Sequence, residues 1–145
     1  MNTPLPWKVQ EHSGDLRITA LGRDNLEALA NASYALISQI IESPPPIERE
    51  LRSLVVSGDD ENARFIAFLN EMIFLLDARS WVPAKIKRLT TCAHSGCDRI
   101  EAVLSGEPLD PAVHHMKYDV KAVTYHGFRI GVEGDMVVVS FLCDL

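Results

Sequence analysis

Near its start the chain alternates hydrophobic and polar residues, which is the pattern of strands with one buried face. The alternation runs over residues 7–11 and, more regularly, over residues 16–21. The turn residues of His12-Ser-Gly-Asp15 separate the two segments, and Gly22 follows the second. This pattern predicts two short strands joined by a tight turn.

Two longer stretches repeat hydrophobic residues every three or four positions, which predicts two amphipathic helices. The first follows Asp24, a typical N-cap residue, with Glu27 in the position of a capping-box acid. Its apolar positions continue to Ile41, and the prolines of residues 44–46 cannot extend it. The second helix is predicted over residues 61–76.

The apolar stripe of the second predicted helix is interrupted by Asn70 and Glu71. An unpaired polar side chain in a protein interior costs on the order of 1–3 kcal/mol. These two side chains therefore either face solvent or hold a neighbouring element.

Further strands are indicated by β-branched and alternating residues between turn signals. They are predicted over residues 54–56, 81–92 (broken around Pro83), 99–104, 120–126, 128–132 and 136–142, with a loop over 106–115 and a hairpin turn over 133–135. Two helices among hairpins fit an α+β fold, with both helices packed on an antiparallel or mixed sheet. The length of 145 residues favours a single domain, 1–145.

The predicted strand over residues 120–126 is unusual because neither of its faces is cleanly apolar. Its sequence is Val120-Lys-Ala-Val-Thr-Tyr-His126, and Gly127 follows it. Alternation would place Lys121 and Tyr125 on one face and His126 on the other. The segment is either an edge strand with solvated polar side chains or part of a functional surface.

Composition narrows the functional classes. The chain carries 14 Lys and Arg residues against 20 Asp and Glu residues, a net charge of -6. This balance argues against a protein that grips nucleic acid by itself, because phosphate contacts need a basic face. No apolar segment approaches the roughly 18 residues of a membrane span, and the first residues show no signal pattern. Three cysteines give no disulfide framework, so a reduced, cytoplasmic protein is expected.

A zinc site is one chemical possibility in the second half of the chain. Cys92, His94 and Cys97, with His114 and His115 downstream, are residues of the types that bind zinc. Their spacing is poor, since no second cysteine pair accompanies the first. Ordinary surface-loop residues are the favoured interpretation.

Catalytic motifs are weak. Ser13, Asp15 and His126 could be drawn as a triad, but five His and 20 acidic residues make such sets easy to find by chance. The sequence has no nucleophile elbow, no phosphate-cradling glycine loop and no zinc-protease motif.

Two aspartates offer a different kind of site. Asp15 lies at the start of a predicted strand, after a turn of small residues, and Asp144 lies beside Leu145 at the end of the last strand. Carboxylate and main-chain oxygens are hard ligands that suit Ca²⁺ or Mg²⁺ rather than zinc. The alternative is two solvated aspartates that never meet.

Four blocks of the sequence, in this order, resemble the archease family. They are the opening His12-Ser-Gly-Asp15, the helical Phe68-Leu-Asn-Glu-Met-Ile-Phe-Leu-Leu-Asp77, the segment Lys121-Ala-Val-Thr-Tyr-His-Gly127 and the ending Asp144-Leu145. The resemblance covers nearly the whole chain. It implies a fold of strand-helix-strand-strand modules, one set into another.

The resemblance also implies a function. Archease-like proteins are cofactors of the GTP-dependent RNA ligase that joins a 3′-phosphate or cyclic-phosphate end to a 5′-hydroxyl end in tRNA splicing and RNA repair. They speed guanylation of the ligase and support its turnover, and they are not enzymes themselves. The partner expected here is that ligase, with no stable direct binding of nucleic acid and no membrane partner.

The resemblance implies a divalent cation held by Asp15, Asp144 and Leu145. Calcium is expected first, with magnesium or manganese as alternatives. The chain departs from the family pattern near this site: Ser13 and Gly14 stand where Thr and Ala are usual, Arg17 where Gly is usual, and Cys143 where an apolar residue is usual.

Four further residues are candidates for supporting this site or for docking the ligase: His12, Lys121, Tyr125 and His126. Two other classes of function remain open at this point. One is a small metal-dependent hydrolase or nuclease that uses Asp15 and Asp144. The other is a chaperone-like binding module without a metal.

Overall fold

A computed structural model describes residues 5–92 and 96–145 of the chain, and of His12 only the main chain. It contains two helices, α1 (Asn25–Ile40) and α2 (Glu61–Arg79). The strands are β1 (Trp7–His12), β2 (Asp15–Gly22), β3 (Ile41–Ser43), β4 (Glu50–Ser57), β5 (Trp81–Thr91), β6 (Arg99–Pro108), β7 (His115–Met116), β8 (Ala122–Val123), β9 (Arg129–Glu133) and β10 (Met136–Asp144). The predicted α+β fold is confirmed.

The strands form three antiparallel sheets. The large sheet has the order β1-β2-β10-β8, and β9 also pairs with β10. A second sheet has the order β4-β6-β5, and β3 pairs with β7. The unit β4-α2-β5-β6 is inserted in the chain between the first and last strands of the large sheet. This is the nested arrangement of strand-helix-strand-strand modules that the family resemblance implied.

Helix α1 covers the inner face of the large sheet. Leu16, Ile18 and Ala20 alternate along β2 and are fully buried, as are Leu29 and Leu36 of α1. Helix α2 packs on the second sheet, and buried residues of both helices and both sheets belong to one hydrophobic cluster. The strict alternation of β2 therefore decides which of its side chains remain on the outer face of the sheet. Neither helix within the described residues has the length and hydrophobicity needed to cross a bilayer.

The predicted helix starts are confirmed with one change in detail. Asp24 caps α1, because its Oδ1 accepts from the Glu27 N–H at 2.8 Å, and Asp60 caps α2. The Glu27 carboxylate, however, accepts from the N–H of Arg23 and not from that of Asp24. The prediction that α1 includes Ile41 is wrong, since Ile41 is extended and begins β3. Apolar spacing could not distinguish a further helical turn from a short buried strand.

Two predictions in the second half of the chain are also wrong. The strand predicted over residues 120–126 is limited to Ala122–Val123, and the loop predicted over 106–115 is shortened because β6 continues to Pro108. The first error has a clear cause. After Val123 the chain turns through residues 125–127, where the Phe128 N–H donates to the Tyr125 carbonyl and Gly127 has a φ of 72°.

The expectation that the cysteines form no disulfide is wrong as well. Cys92 and Cys97 are joined by a disulfide near the connection between β5 and β6, whereas Cys143 is free and buried.

Candidate functional site

Asp15 and Asp144 lie directly opposite each other on neighbouring strands. The antiparallel register of β2 and β10 runs to the pair Asp144–Asp15, so both carboxylates project from the same face of the sheet. The Leu145 N–H points back to the Gly14 carbonyl at 3.4 Å. The start of β2 and the last two residues of the chain thus converge, as the sequence analysis required for a shared site.

The alternation of the two strands explains why these carboxylates face outward. In β2, Asp15 precedes the fully buried Leu16, and in β10, Asp144 follows the fully buried Cys143. Leu16 and Cys143 are themselves paired and point into the core. Their neighbours must therefore emerge on the opposite face, where Asp15 is half-buried and Asp144 is exposed.

The two carboxylates have no cationic partner within 4 Å among the described residues. Two cationic residues adjacent to the pair along the chain or across the strands make other contacts. Arg17 donates its Nη1 to the Ser140 Oγ at 3.1 Å, and Lys121 contacts Asp144 only through its main-chain N–H, at 2.8 Å from the Asp144 carbonyl oxygen. Like charges directly opposite each other on a sheet are destabilising. A pair of hard oxygen donors without a cationic partner among the described residues fits a divalent cation.

Side chains alone do not complete a metal site here. No group of three or more His, Cys, Asp or Glu side chains within the described parts of the chain is placed to hold a metal ion. A cation bound by Asp15 and Asp144 would need main-chain oxygens as well, and those of Gly14 and Leu145 are adjacent.

Helix α2 holds the strand that borders this site. The Asn70 side chain donates to the Val123 carbonyl at 3.1 Å and accepts from the Val123 N–H at 2.8 Å. Strand β8, which contains Val123, pairs with Cys143 and Asp144 of β10. Of the two interpretations open for Asn70, the structure therefore supports the one in which it holds a neighbouring element.

Comparison with known proteins gives the family. The model of the "Archease protein family (MTH1598/TM1083)" matches residues 7–145. The chain belongs to the archease family. The resemblance found in the four sequence blocks is confirmed.

Individual archeases match the chain over most of its length. "Protein archease" of Pyrococcus abyssi is 30% identical over 124 residues, which cover 86% of this chain and 87% of that protein. "Protein archease" of Pyrobaculum neutrophilum is 29% identical over 144 residues, which cover 98% and 97%. Both descriptions give the family name and no catalysed reaction.

Solved structures share the fold. The solution structure of protein 1598 of Methanobacterium thermoautotrophicum has a TM-score of 0.82 at 20% identity, and the alignment covers 98% of this chain and 100% of that one. A crystal structure from Thermotoga maritima, described as an archease and possible chaperone, has a TM-score of 0.65 at 19% identity and covers 100% and 98%.

No hydrogen bond joins the other candidate residues of this archease to one another among the side chains that the structure describes. Lys121, Tyr125 and His126 are exposed, and 69% of the Tyr125 surface is accessible. Tyr125 and His126 lie in the turn after β8. The main chain of His12 pairs with Asp15 across β1 and β2, and its side chain lies outside the described features.

The triad that could be drawn from the sequence, and was disfavoured there, is not assembled among the described residues. Among the described residues no hydrogen bond joins Ser13, Asp15 and His126, and Ser13 is an exposed turn residue.

The potential zinc ligands are not brought together either. Cys92 and Cys97 are consumed by their disulfide, and His94 lies outside the described residues. His114 is buried, with its Nδ1 accepting from the Asp110 N–H at 3.0 Å. His115 is exposed in β7.

Two features of the site were either left open or missed by the sequence predictions. One is the double hydrogen bond of Asn70, which depends on a contact between residues 53 positions apart. The other is a group of cationic and hydroxyl side chains on the outer face of the large sheet, centred on Arg17. A signal for it existed, since Arg17 and Thr19 occupy the polar positions of the alternating segment that became β2.

Proposed function

We propose that this chain activates the GTP-dependent RNA ligase that joins a 3′-phosphate or cyclic-phosphate end to a 5′-hydroxyl end, in the cytoplasm, and that it carries a divalent cation for this purpose. Membership of the archease family supports the class of function. The observation that carries the specific proposal is the pairing of Asp144 with Asp15. This register brings two carboxylates and the main chain of Leu145 to one edge of the large sheet.

The proposed cation site consists of Asp15, Asp144 and Leu145. Calcium is the first expectation, because flexible sets of carboxylate and main-chain oxygens suit its larger coordination shell, with magnesium or manganese as alternatives. A bound cation would present positive charge to phosphate oxygens. The protein's own contribution is to hold the two carboxylates in register, through β2 and β10, and to brace the neighbouring strand β8 through Asn70.

The ligase would dock beside this edge. Lys121 precedes β8, Tyr125 and His126 follow it, and all three are exposed. An open cleft of about 440 Å³ is lined by Tyr125, Asp59 and Asp98, together with residues of α2. Acidic groups beside an aromatic ring suit basic side chains of a partner. The net charge of -6 would favour encounter with a basic surface of the ligase, so added salt should weaken the activation.

The proposal is tested by ligase guanylation in a reconstituted assay with labelled GTP. Asp15→Ala and Asp144→Asn should each lose most of the stimulation, while Asp135→Asn, at an exposed acid of the β9–β10 hairpin, should keep it. In calorimetry with Ca²⁺, Asp15→Ala and Asp144→Asn should each bind the ion more weakly than the wild type, and Asp135→Asn should bind it as the wild type does. Loss of a carboxylate that coordinates the ion should weaken cation binding by at least roughly 10–100-fold, which is the typical effect of removing a residue that only supports a coordinating group.

Full stimulation by Asp15→Ala would overturn the metal-dependent mechanism. Stimulation without any cation binding by the wild-type protein would favour a metal-free, chaperone-like activator. Cleavage of RNA by the purified protein with Mg²⁺ or Mn²⁺, lost in Asp15→Ala, would instead support the hydrolase or nuclease alternative.

A further inference from the structure

The outer face of the large sheet carries a row of polar side chains across four strands. Lys8 of β1 pairs with Thr19 of β2, Thr19 pairs with Ser140 of β10, and Ser140 pairs with Arg129 of β9. Paired residues of antiparallel strands share a face, so two cations flank two hydroxyl groups in this row. Arg17 lies on the same face, two residues before Thr19 in β2.

The guanidinium of Arg17 is oriented toward this row. Its Nη1 donates to the Ser140 Oγ at 3.1 Å, and the Ser140 and Thr19 hydroxyls share a hydrogen bond of 3.4 Å. Arg17 is half-buried and Ser140 is only 6% exposed. A guanidinium has five N–H donors, and this hydrogen bond uses one of them.

Two glycines make room for the guanidinium groups. A Cβ at Gly127 would lie 3.3 Å from the Nη2 of Arg17, and a Cβ at Gly131 would lie 3.3 Å from the Nη1 of Arg129. Each contact is tighter than an ordinary van der Waals approach. The absence of side chains at these two positions thus lets both guanidinium groups lie close to the sheet.

Among the described residues, no acidic side chain lies within ion-pair distance, 4 Å, of these cations. The ion pairs within the described residues involve other side chains, and none includes Lys8, Arg17 or Arg129. Three unpaired cations on one face are unexpected in a protein of net charge -6. The free N–H donors of Arg17 and Arg129 and the hydroxyls of Thr19 and Ser140 together match the acceptor oxygens of a phosphate group.

We propose that Lys8, Arg17, Thr19, Arg129 and Ser140 form a binding site for a phosphate group, separate from the proposed cation site. The acidic character of the whole chain opposes binding along a polyanion. The site therefore fits one terminal phosphate group, from a nucleoside triphosphate or from the end of an RNA. Arg17 and Asp15 are two residues apart on one strand, about 7 Å along β2. A phosphate bound here would lie near the paired carboxylates, and its binding would not require a metal ion.

The test uses the full chain in buffer with EDTA, so that no divalent cation contributes. Inorganic phosphate is titrated against chloride at constant ionic strength while the backbone amide and arginine Nε–H resonances are recorded by NMR. Phosphate should shift the resonances of Arg17, Arg129, Thr19 and Ser140 in a saturable manner. GTP, and short RNAs with and without a 3′-phosphate, are then titrated in the same way to distinguish the two sources.

Variants define the site. Arg17→Gln and Arg129→Gln should each weaken phosphate binding roughly tenfold, since each removes a charged donor. Arg88→Gln, at an exposed cation of the second sheet, is the matched control and should bind as the wild type does. Asp15→Asn should retain phosphate binding, which separates a failure of this site from a failure of the proposed cation site.

Three results would overturn the proposal: shifts no larger than those caused by chloride, shifts confined to other surfaces, or wild-type affinity in both arginine variants. A stronger response to GTP than to either RNA would support the nucleotide as the source. A response to the RNA that requires its 3′-phosphate would support the RNA end.

Discussion

The side chain of Asn70 forms two hydrogen bonds with the main chain of Val123, one as donor at 3.1 Å and one as acceptor at 2.8 Å. The side-chain amide thereby replaces a neighbouring strand on the side of β8 that faces helix α2. Because β8 has only two residues and pairs with Cys143 and Asp144, this contact connects the helix to the edge that carries the paired carboxylates.

Asn70→Ala should therefore destabilise the protein by about 1–3 kcal/mol, the cost of leaving buried main-chain groups unpaired. Denaturant unfolding gives this value, and hydrogen exchange should show faster opening at the Val123 N–H. Asn62→Ala, at an exposed residue of the same helix, is the control and should change stability by less than about 0.5 kcal/mol. Equal effects of the two substitutions would mean that Asn70 does not brace β8.

Local sequence signals predicted those parts of the fold that depend on neighbouring residues. Asp24 marked the start of α1, and the alternation of residues 16–21 marked β2, because capping and period-two burial act over a few positions. The end of α1 was misplaced at Ile41, since an apolar residue satisfies a buried helix and a buried strand equally well.

Contacts between distant parts of the chain could not be predicted in the same way. Strands β8 and β9 both pair with β10, at residues 143–144 and 136–140, so the segment between them must leave the sheet. Gly127 signals a turn in this segment, but it does not by itself fix Val123 as the end of β8. The convergence of Asp15 with Asp144 likewise follows from the register of two strands at opposite ends of the chain. The residues alone left it open beside the alternative of two solvated aspartates, and the family resemblance favoured it.

Cys143 should be unreactive in the folded protein. Burial raises the pKa of its thiol to about 12, and the thiolate is the reactive species. Iodoacetamide at pH 8 should therefore leave Cys143 unmodified over hours by mass spectrometry. The same treatment in denaturant should modify it fully. Rapid alkylation without denaturant would show that the end of β10 opens readily, which would also disturb the adjacent Asp144.

Glu107 should make stability depend on pH in the acid range. Burial of the carboxyl group raises its pKa. The hydrogen bond from the Ile47 N–H at 2.6 Å and the proximity of His114 and Arg49 lower the pKa by more than burial raises it, so the net shift is downward. A lowered pKa contributes stability that is present above the unfolded value of about 4.3 and is lost as the pH falls through the folded value.

Glu107→Gln keeps an acceptor for the Ile47 N–H but removes this charge. The variant should be less stable than the wild type at pH 6, and the two unfolding free energies should converge as the pH falls toward 3. Urea unfolding across this range measures the difference. Glu101→Gln, at an exposed residue of the same strand, should give a curve parallel to that of the wild type. A constant gap between Glu107→Gln and wild type would show that the carboxylate charge contributes nothing.

The paired carboxylates of Asp15 and Asp144 should lower the stability of the cation-free protein. Like charges directly opposite each other on a sheet are unfavourable by roughly 0.2–1 kcal/mol, so Asp144→Asn should stabilise the protein by about that amount in EDTA. Calcium should then make the wild type the more stable of the two. An ion that binds only the folded state stabilises it, the more so the tighter it binds, and the variant lacks one of the coordinating carboxylates. Thermal unfolding with and without calcium measures both effects, with Asp135→Asn as the control for a change of net charge. If Asp144→Asn destabilised the protein in EDTA, the pair would be held by favourable contacts of its own, and the electrostatic reason for expecting a cation at this edge would be lost.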